Sequence, residues 1–253
     1  MFQSLYDRFK CPICGNTTYP LLPVGSEFSV LTTLQIIGGG HRLERCSGCS
    51  SNDRDRLYYL YLRDVVKLFN GEPHCINLLH VAPEDCVAQK LMEVKGIDYL
   101  AIDSFEHGYD YPPYIHKMDL QHLDIPDMSV DLVICNHVLQ DIKDDITAMK
   151  EIYRVLKPAG QAILQVPISP ILNQILEYDG IVTKEQCTKA YGHRFHKRIY
   201  NEAGYISRLQ SVGFCVNALS NSNPVEYSTN PKEKIFIAVK QSSNTLIHRC
   251  HET

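Results

Sequence analysis

A doubly wound α/β fold with a mostly parallel sheet is predicted for this chain, preceded by a small module built around cysteine pairs. Three observations predict it. From about residue 75, strand-like apolar runs alternate with amphipathic helical segments, the pattern of a parallel sheet covered by helices. Before that point lie two CxxC pairs, Cys11/Cys14 and Cys46/Cys49, in a stretch rich in Gly, Pro, Ser and Thr that core burial alone would not hold. A length of 253 residues suits one full-sized core and one appendage.

In order along the chain, residues 1–51 form the cysteine module. Each CxxC presents two sulfurs of one tight turn to the same ion, and the 31 residues between the pairs are enough to fold back and close a tetrahedron. Zinc accepts four thiolates without redox chemistry, so Cys11, Cys14, Cys46 and Cys49 read as ligands of a structural Zn2+ in a zinc-ribbon-like module. Four thiolates leave no open coordination position, and the metal is expected to hold the module together without touching substrate. His41, between the pairs, reads as an exposed polar residue.

Residues 52–74 are predicted to form a connecting helix, with Leu57, Leu60, Tyr61, Asp64 and Leu68 at helical spacing and Asn52 or Asp53 as its cap. Arg54 and Arg56 at its start either engage an anionic group or solvate the helix end. Residues 75–240 follow as the main domain. INLLHVA reads as a strand, PEDCVAQKLMEVK as a helix with Pro83 in its first turn, IDYLAID and VDLVICN as strands. DDITAMKEIYRVLKP reads as a helix ended by Pro158 and Gly160, and AILQVPI as a buried strand. A last helix, AGYISRLQSVGF, precedes CVNALS and EKIFIAVK, which suit an antiparallel hairpin at the sheet's end. Residues 168–200 stand out as an insertion, and 241–253 as a polar tail.

Composition narrows the functional classes. With 44% hydrophobic residues, 21% charged residues and a net charge of −4, disorder and collagen-like repeats are excluded, and a broad electrostatic grip on nucleic acid is disfavoured. The opening residues lack a cationic segment followed by an apolar core, and no run approaches a membrane span, so a cytoplasmic protein with no membrane partner is expected. Of ten cysteines, six are scattered singly, which fits free thiols in a reducing compartment better than disulfides.

The run from residue 125 to 167, with Asp119-Leu120 before it and Asp131, Val138-Leu139, Arg154 and Lys157-Pro158 within it, closely resembles the central segment of class I S-adenosylmethionine-dependent methyltransferases of the type 11 group. The resemblance extends over roughly residues 75–220 and implies a Rossmann-like methyltransferase fold with S-adenosylmethionine at the carboxyl ends of the strands. The first turn departs from the general pattern: His80 stands where that family has an acid, and Ala82 and Glu84 replace glycines. A bacterial branch with similar cysteine pairs shows LHxAPE there, and its YG...H.R.Y...Y..RL...GF segment is matched by Tyr191, Gly192, His196, Arg198, Tyr200, Tyr205, Arg208, Leu209, Gly213 and Phe214.

The resemblance also implies roles. Asp103, with Ser104 after it, falls where an acid bonds the cofactor's ribose diol; Asp119 and Leu120 fall where adenine is read. His80, Ala82, Glu84 and Asn136 complete the implied cofactor set, although each carboxylate also suits a loop cap and Glu84 a first-turn helix acid. His137, beside the implied methyl position, is the leading candidate base, since imidazole titrates near neutrality; Asp141 and His196 follow. The insertion carries Lys184, Lys189, His193, Arg194, His196, Lys197 and Arg198, and reads either as a lid or as a solvated hairpin. With Tyr109 in the loop 107–114, residues Arg194, His196 and Arg198 are candidates for binding an anionic or polyhydroxyl acceptor. A small molecule or saccharide is the expected acceptor. RNA held by a zinc arm containing Arg42, Arg45, Arg54 and Arg56 is the alternative, and a domain that binds without catalysis is the third.

Overall fold

Alternating runs of Val, Ile and Leu with helical segments assemble into the expected layered sheet in the computed structural model, which describes residues 9–17, 21–72, 75–220 and 225–242. The strands are β1 (Leu22–Val24), β2 (Arg42–Arg45), β3 (Ile76–Val81), β4 (Ile97–Asp103), β5 (Ile115–Lys117), β6 (Val130–Cys135), β7 (Leu156–Ile163), β8 (Leu176–Glu177), β9 (Arg198–Ile199), β10 (Phe214–Ser220) and β11 (Lys234–Lys240). The helices are α1 (Ser29–Thr33), α2 (Asp53–Asp64), α3 (Asp85–Met92), α4 (Asp145–Val155), α5 (Lys184–Tyr191) and α6 (Glu202–Val212). All but two residues of the predicted tail lie outside the described residues.

The main sheet runs β10-β11-β7-β6-β3-β4-β5. Pairings β3–β4, β4–β5, β3–β6 and β6–β7 are parallel, while β11 runs antiparallel to both β7 and β10. The predicted hairpin thus exists, but its second strand inserts between β7 and β10. Strand order reverses at β3 and β6, and such a switch point opens a crevice beyond the carboxyl ends of the strands. Strands covered on both faces need unbroken apolar runs, and Leu79, Ile102, Val133, Ile134 and Ala162 are fully buried. Each large one contributes about 1.5–3 kcal/mol relative to exposure.

Several boundaries differ from expectation. Helix α3 begins at Asp85 with Glu84 as its N-cap, so Pro83 precedes the first turn. Helix α4 ends at Val155, and Lys157, Pro158 and Gly160 already belong to β7, whose pairing shifts register between Val130 and Leu132 to absorb them. In α2, Asn52 is the cap, closing a capping box with Asp55, but Asp64 is exposed while Tyr58 and Leu62 are buried.

The module is not a separate body. Phe9, Cys11, Ile13, Leu21 and Cys46 share one apolar cluster with Leu57, Tyr58 and Leu62 of α2 and with Leu78, Leu132, Ile163 and Ile235 of the sheet. Arg56 fastens this face. Its guanidinium is fully buried and donates to the carbonyls of Glu44, Ser51, Tyr227 and Ser228 and to the Glu44 carboxylate. All its donors are engaged, so it neither solvates the helix start nor reaches a ligand.

Candidate active site

The carboxyl ends of β3, β4 and β6 surround a cavity of about 690 Å³, within the size range of small-molecule sites. The first turn leaves β3 through Ala82, whose φ of 49° lies in the left-handed region that glycine usually fills. Ala82 lines the cavity; His80 and Glu84 do not. They face the other way. Tyr58 donates to Glu84 at 2.7 Å, His80 Nε2 lies 3.4 Å from the same carboxylate, and His80 Nδ1 meets the Tyr99 hydroxyl at 3.0 Å. Burial opposes the Glu84 charge, but His80, Arg54 and Tyr58 outweigh it and hold the carboxyl below its usual range. These two residues, expected to touch a cofactor, instead join α2 to β3.

Asp103 and Ser104 at the end of β4, and Asp119 and Leu120 after β5, line the same cavity. Each carboxylate also caps its own loop: Asp103 Oδ1 accepts from Phe105 N at 3.0 Å and Asp119 Oδ1 from Gln121 N at 2.9 Å. A carboxylate accepts several hydrogen bonds, so capping with one oxygen leaves capacity for a ligand. Tyr109 lies at the mouth. Arg194 donates to its hydroxyl and stands over the Phe195 ring at 4.8 Å, so the insertion and the loop 107–114 meet across the opening.

At the end of β6, Asn136 is buried, its Oδ1 accepting from Gln165 N at 3.3 Å, and it does not line the cavity. His137 does, with φ of 54°, and its Nε2 is buried without a hydrogen-bond partner. Burial, Arg54, Arg42 and His196 push its pKa well below the ordinary value, so the ring is neutral at physiological pH. Glu233, before β11, lies 3.8 Å away. Burial and the nearby Asp53 charge raise its carboxyl to about 8, against partial relief from Arg54 and Arg42. Both members of the pair are thus uncharged at neutral pH. Gly38 lies against them: a Cβ there would sit 3.0 Å from Glu233 Oε1 and 3.2 Å from His137 Cε1.

His137 and Asp141 also line a second cavity of about 290 Å³, enclosed by the loop before β2, by Arg54 and by His193 and His196 of the insertion. Asp141 is raised to about 7 by burial, partly countered by Lys197 and Arg54; His196 is lowered to about 3 by burial and by His193. Arg42, on the cavity wall, is paired bidentately with buried Asp53 at 2.5 and 2.7 Å. Arg54 Nε lies 3.5 Å from Asp55 and has no hydrogen-bond partner among the described residues.

Arg198, expected to contact substrate, is 1% exposed. It donates to the carbonyls of Leu139, Ile142 and Lys143 and twice to Glu177. With five donors used, none remains for a ligand. Other members of its motif are equally architectural: Arg208 grips Asp145 and Glu177, Tyr200 donates to Asp145, and Tyr205 to the Leu164 carbonyl. These bonds fix the insertion to α4 and α6, and α6 to the residue after β7. The sequence reading missed Glu233, Lys117, Gln140 and the loop 36–40. Only the Gly38-Gly39-Gly40 run offered a signal, as a place where backbone comes close to something.

At the module, the four cysteine sulfurs lie within 4.8 Å of one another, with Cys11–Cys49 at 3.6 Å and Cys14–Cys46 at 3.7 Å. A tetrahedron with Zn–S bonds of ~2.3 Å requires sulfurs roughly 3.8 Å apart, so the arrangement fits a zinc module. Every cysteine among the described residues is a free thiol. No helix among them is long and apolar enough to cross a membrane.

Residues 84–164 match a family model described as a methyltransferase domain. A protein of Mycolicibacterium smegmatis named "Probable S-adenosylmethionine-dependent methyltransferase" is 28% identical over 157 residues, 60% of this chain and 52% of the relative. The chain thus spans about half the length of the curated relative it matches. Among solved structures, the CurJ carbon methyltransferase aligns with a TM-score of 0.50 at 14% identity, covering 76% of this chain and 56% of that one. The 1,6-didemethyltoxoflavin-N1-methyltransferase of Burkholderia thailandensis aligns at 0.46 with 16% identity, covering 73% and 76%. At 14% identity the likeness to the CurJ carbon methyltransferase speaks to the fold alone.

Proposed function

We propose that this chain, which carries a methyltransferase domain of the S-adenosylmethionine-dependent kind, transfers a methyl group to a small-molecule or saccharide acceptor bound in the inner cavity. The observation that carries the reading is that His137 and Asp141 line both cavities: the larger, at the switch point, takes the cofactor, and the smaller takes the acceptor. In the larger one, Asp103 and Ser104 would hold the ribose diol, Asp119 and Leu120 the adenine, and the backbone at Ala82 the methionine end. His80, Glu84 and Asn136 serve behind this wall.

Bound S-adenosylmethionine supplies an activated methyl on a sulfonium, so the protein's part is alignment and deprotonation of the acceptor. His137 Nε2, neutral and unpartnered, would accept that proton. Tyr109 and Arg194 would close the mouth of the site and keep water out. An RNA acceptor is less well supported, because Arg56 is buried and Arg42 is committed to Asp53.

The four thiolates are proposed to hold a structural zinc; metal analysis should find about one equivalent per chain, and less than about half would contradict it. For the cofactor, calorimetry with S-adenosylhomocysteine should show binding that Asp103→Ala weakens by about 1–3 kcal/mol, the scale of a lost charged hydrogen bond. No binding to the wild-type chain at millimolar cofactor would remove the enzyme reading.

A further inference from the structure

A second cluster of metal-type donors lines the smaller cavity. Asp141, His193 and His196 each bring one ligand atom within 4.8 Å of the other two. His196 Nε2 and Asp141 Oδ1 are 3.7 Å apart, and the two imidazole centroids 4.6 Å apart. An ion bonded at ~2.1 Å to two atoms tolerates separations up to roughly 4.2 Å, so one pair already fits and a small side-chain rotation brings in the third.

Two orphaned atoms, an observation independent of the distances, point to a ligand. Asp141 Oδ1 and His193 Nδ1 are buried and make no hydrogen bond, an expensive condition that coordination would remove. Of the His196 ring nitrogens, Nε2 is the one turned to Asp141. The donors are held by the fold. Lys197 N donates to the Gln140 carbonyl at 2.7 Å, pinning the histidine loop to the turn that carries Asp141. Gly192, at φ of 75°, ends α5 and starts that loop with the Leu31 side chain where a Cβ would be.

We propose that Asp141, His193 and His196 form a divalent-cation site whose open coordination positions take oxygen atoms of the acceptor. Two imidazoles and one carboxylate suit a transition-metal ion; Mg2+ and Ca2+ favour all-oxygen sets. Three protein ligands leave positions free, unlike the closed thiolate set of the module. A chelating acceptor with neighbouring oxygens, as in a saccharide, fits this arrangement. That last step rests on the methyltransferase reading; the cation site itself does not.

Titration with Co2+ tests the site, followed by calorimetry and by visible absorption on the full chain. Expected is one cobalt per chain with weak nitrogen- and oxygen-type bands, distinct from the intense near-ultraviolet absorption that thiolate coordination gives. His193→Ala, His193→Gln and His196→Ala, each verified as folded by circular dichroism, should weaken this binding tenfold or more. His193→Ala should leave S-adenosylhomocysteine binding in place. Absence of the nitrogen- and oxygen-type bands in the wild type, or equal affinity in the folded variants, would overturn the site. If cobalt binds but S-adenosylhomocysteine does not, the cation site stands and the methyltransferase reading falls; the reverse result removes the cation site alone.

Discussion

Ala82 and Glu233 show how single residues are strained to build the site. Ala82 holds a left-handed conformation because the chain must turn sharply from β3 beneath the large cavity. Ala82→Gly should stabilise the fold by about 0.5–1 kcal/mol in guanidinium unfolding, since glycine takes that conformation without steric cost; a lower midpoint would mean that the lost methyl packing dominates. Glu233 is held near neutrality by burial, with its pKa raised from 4.5 to about 8. The unfolded chain ionises this group as pH passes 4.5, while the folded chain keeps the proton until about 8, so its cost to stability grows between those values and then levels. Glu233→Gln should therefore stabilise by about 1–3 kcal/mol more at pH 9 than at pH 6. Equal gains at both pH values in urea unfolding would contradict the raised pKa. Asp103 and Asp119 were legible as positions at the cavity because the first ends a readable strand and the second stands just before the run 125–167. Glu233 was not, since only the insertion of β11 brings it beside His137, 96 positions earlier in the chain.

At the scale of elements, the sequence revealed periodicity well and packing poorly. IDYLAID matches β4 residue for residue, whereas the end of α4 was misplaced because β7 begins through a Pro-Gly segment that reads as a stop signal. The motif around Arg198 looked like an acceptor-binding stripe, and charge alone could not reveal that Leu139, Ile142 and Lys143 offer it carbonyls from the turn after β6. Its removal should be felt as lost architecture. Arg198→Met should cost about 3–5 kcal/mol, the range for breaking a buried charge network, and should expose the segment 168–200 to protease. A stable, protease-resistant variant with weakened acceptor binding would instead restore the substrate role expected from sequence.

Across the whole molecule, the two units expected from composition prove to be joined by shared apolar packing and by Arg56. The Cys pairs were legible because metal geometry is local, but nothing in their spacing reveals that the loop 36–40 reaches His137. Chelation of the proposed zinc should therefore lower the unfolding midpoint of the entire chain in one transition; a sheet that melts at an unchanged temperature would show the module to be autonomous. The interior position of β11 has a temporal consequence. Later in the chain than every other strand, it fills the gap between β7 and β10, so during synthesis the sheet stays divided until residues 234–240 have emerged. Pairing across such sequence distances closes slowly. Because Glu233 arrives with that strand, the chamber beside His137 is unfinished until β11 has docked, and a ligand binding there would stabilise only molecules in which it has.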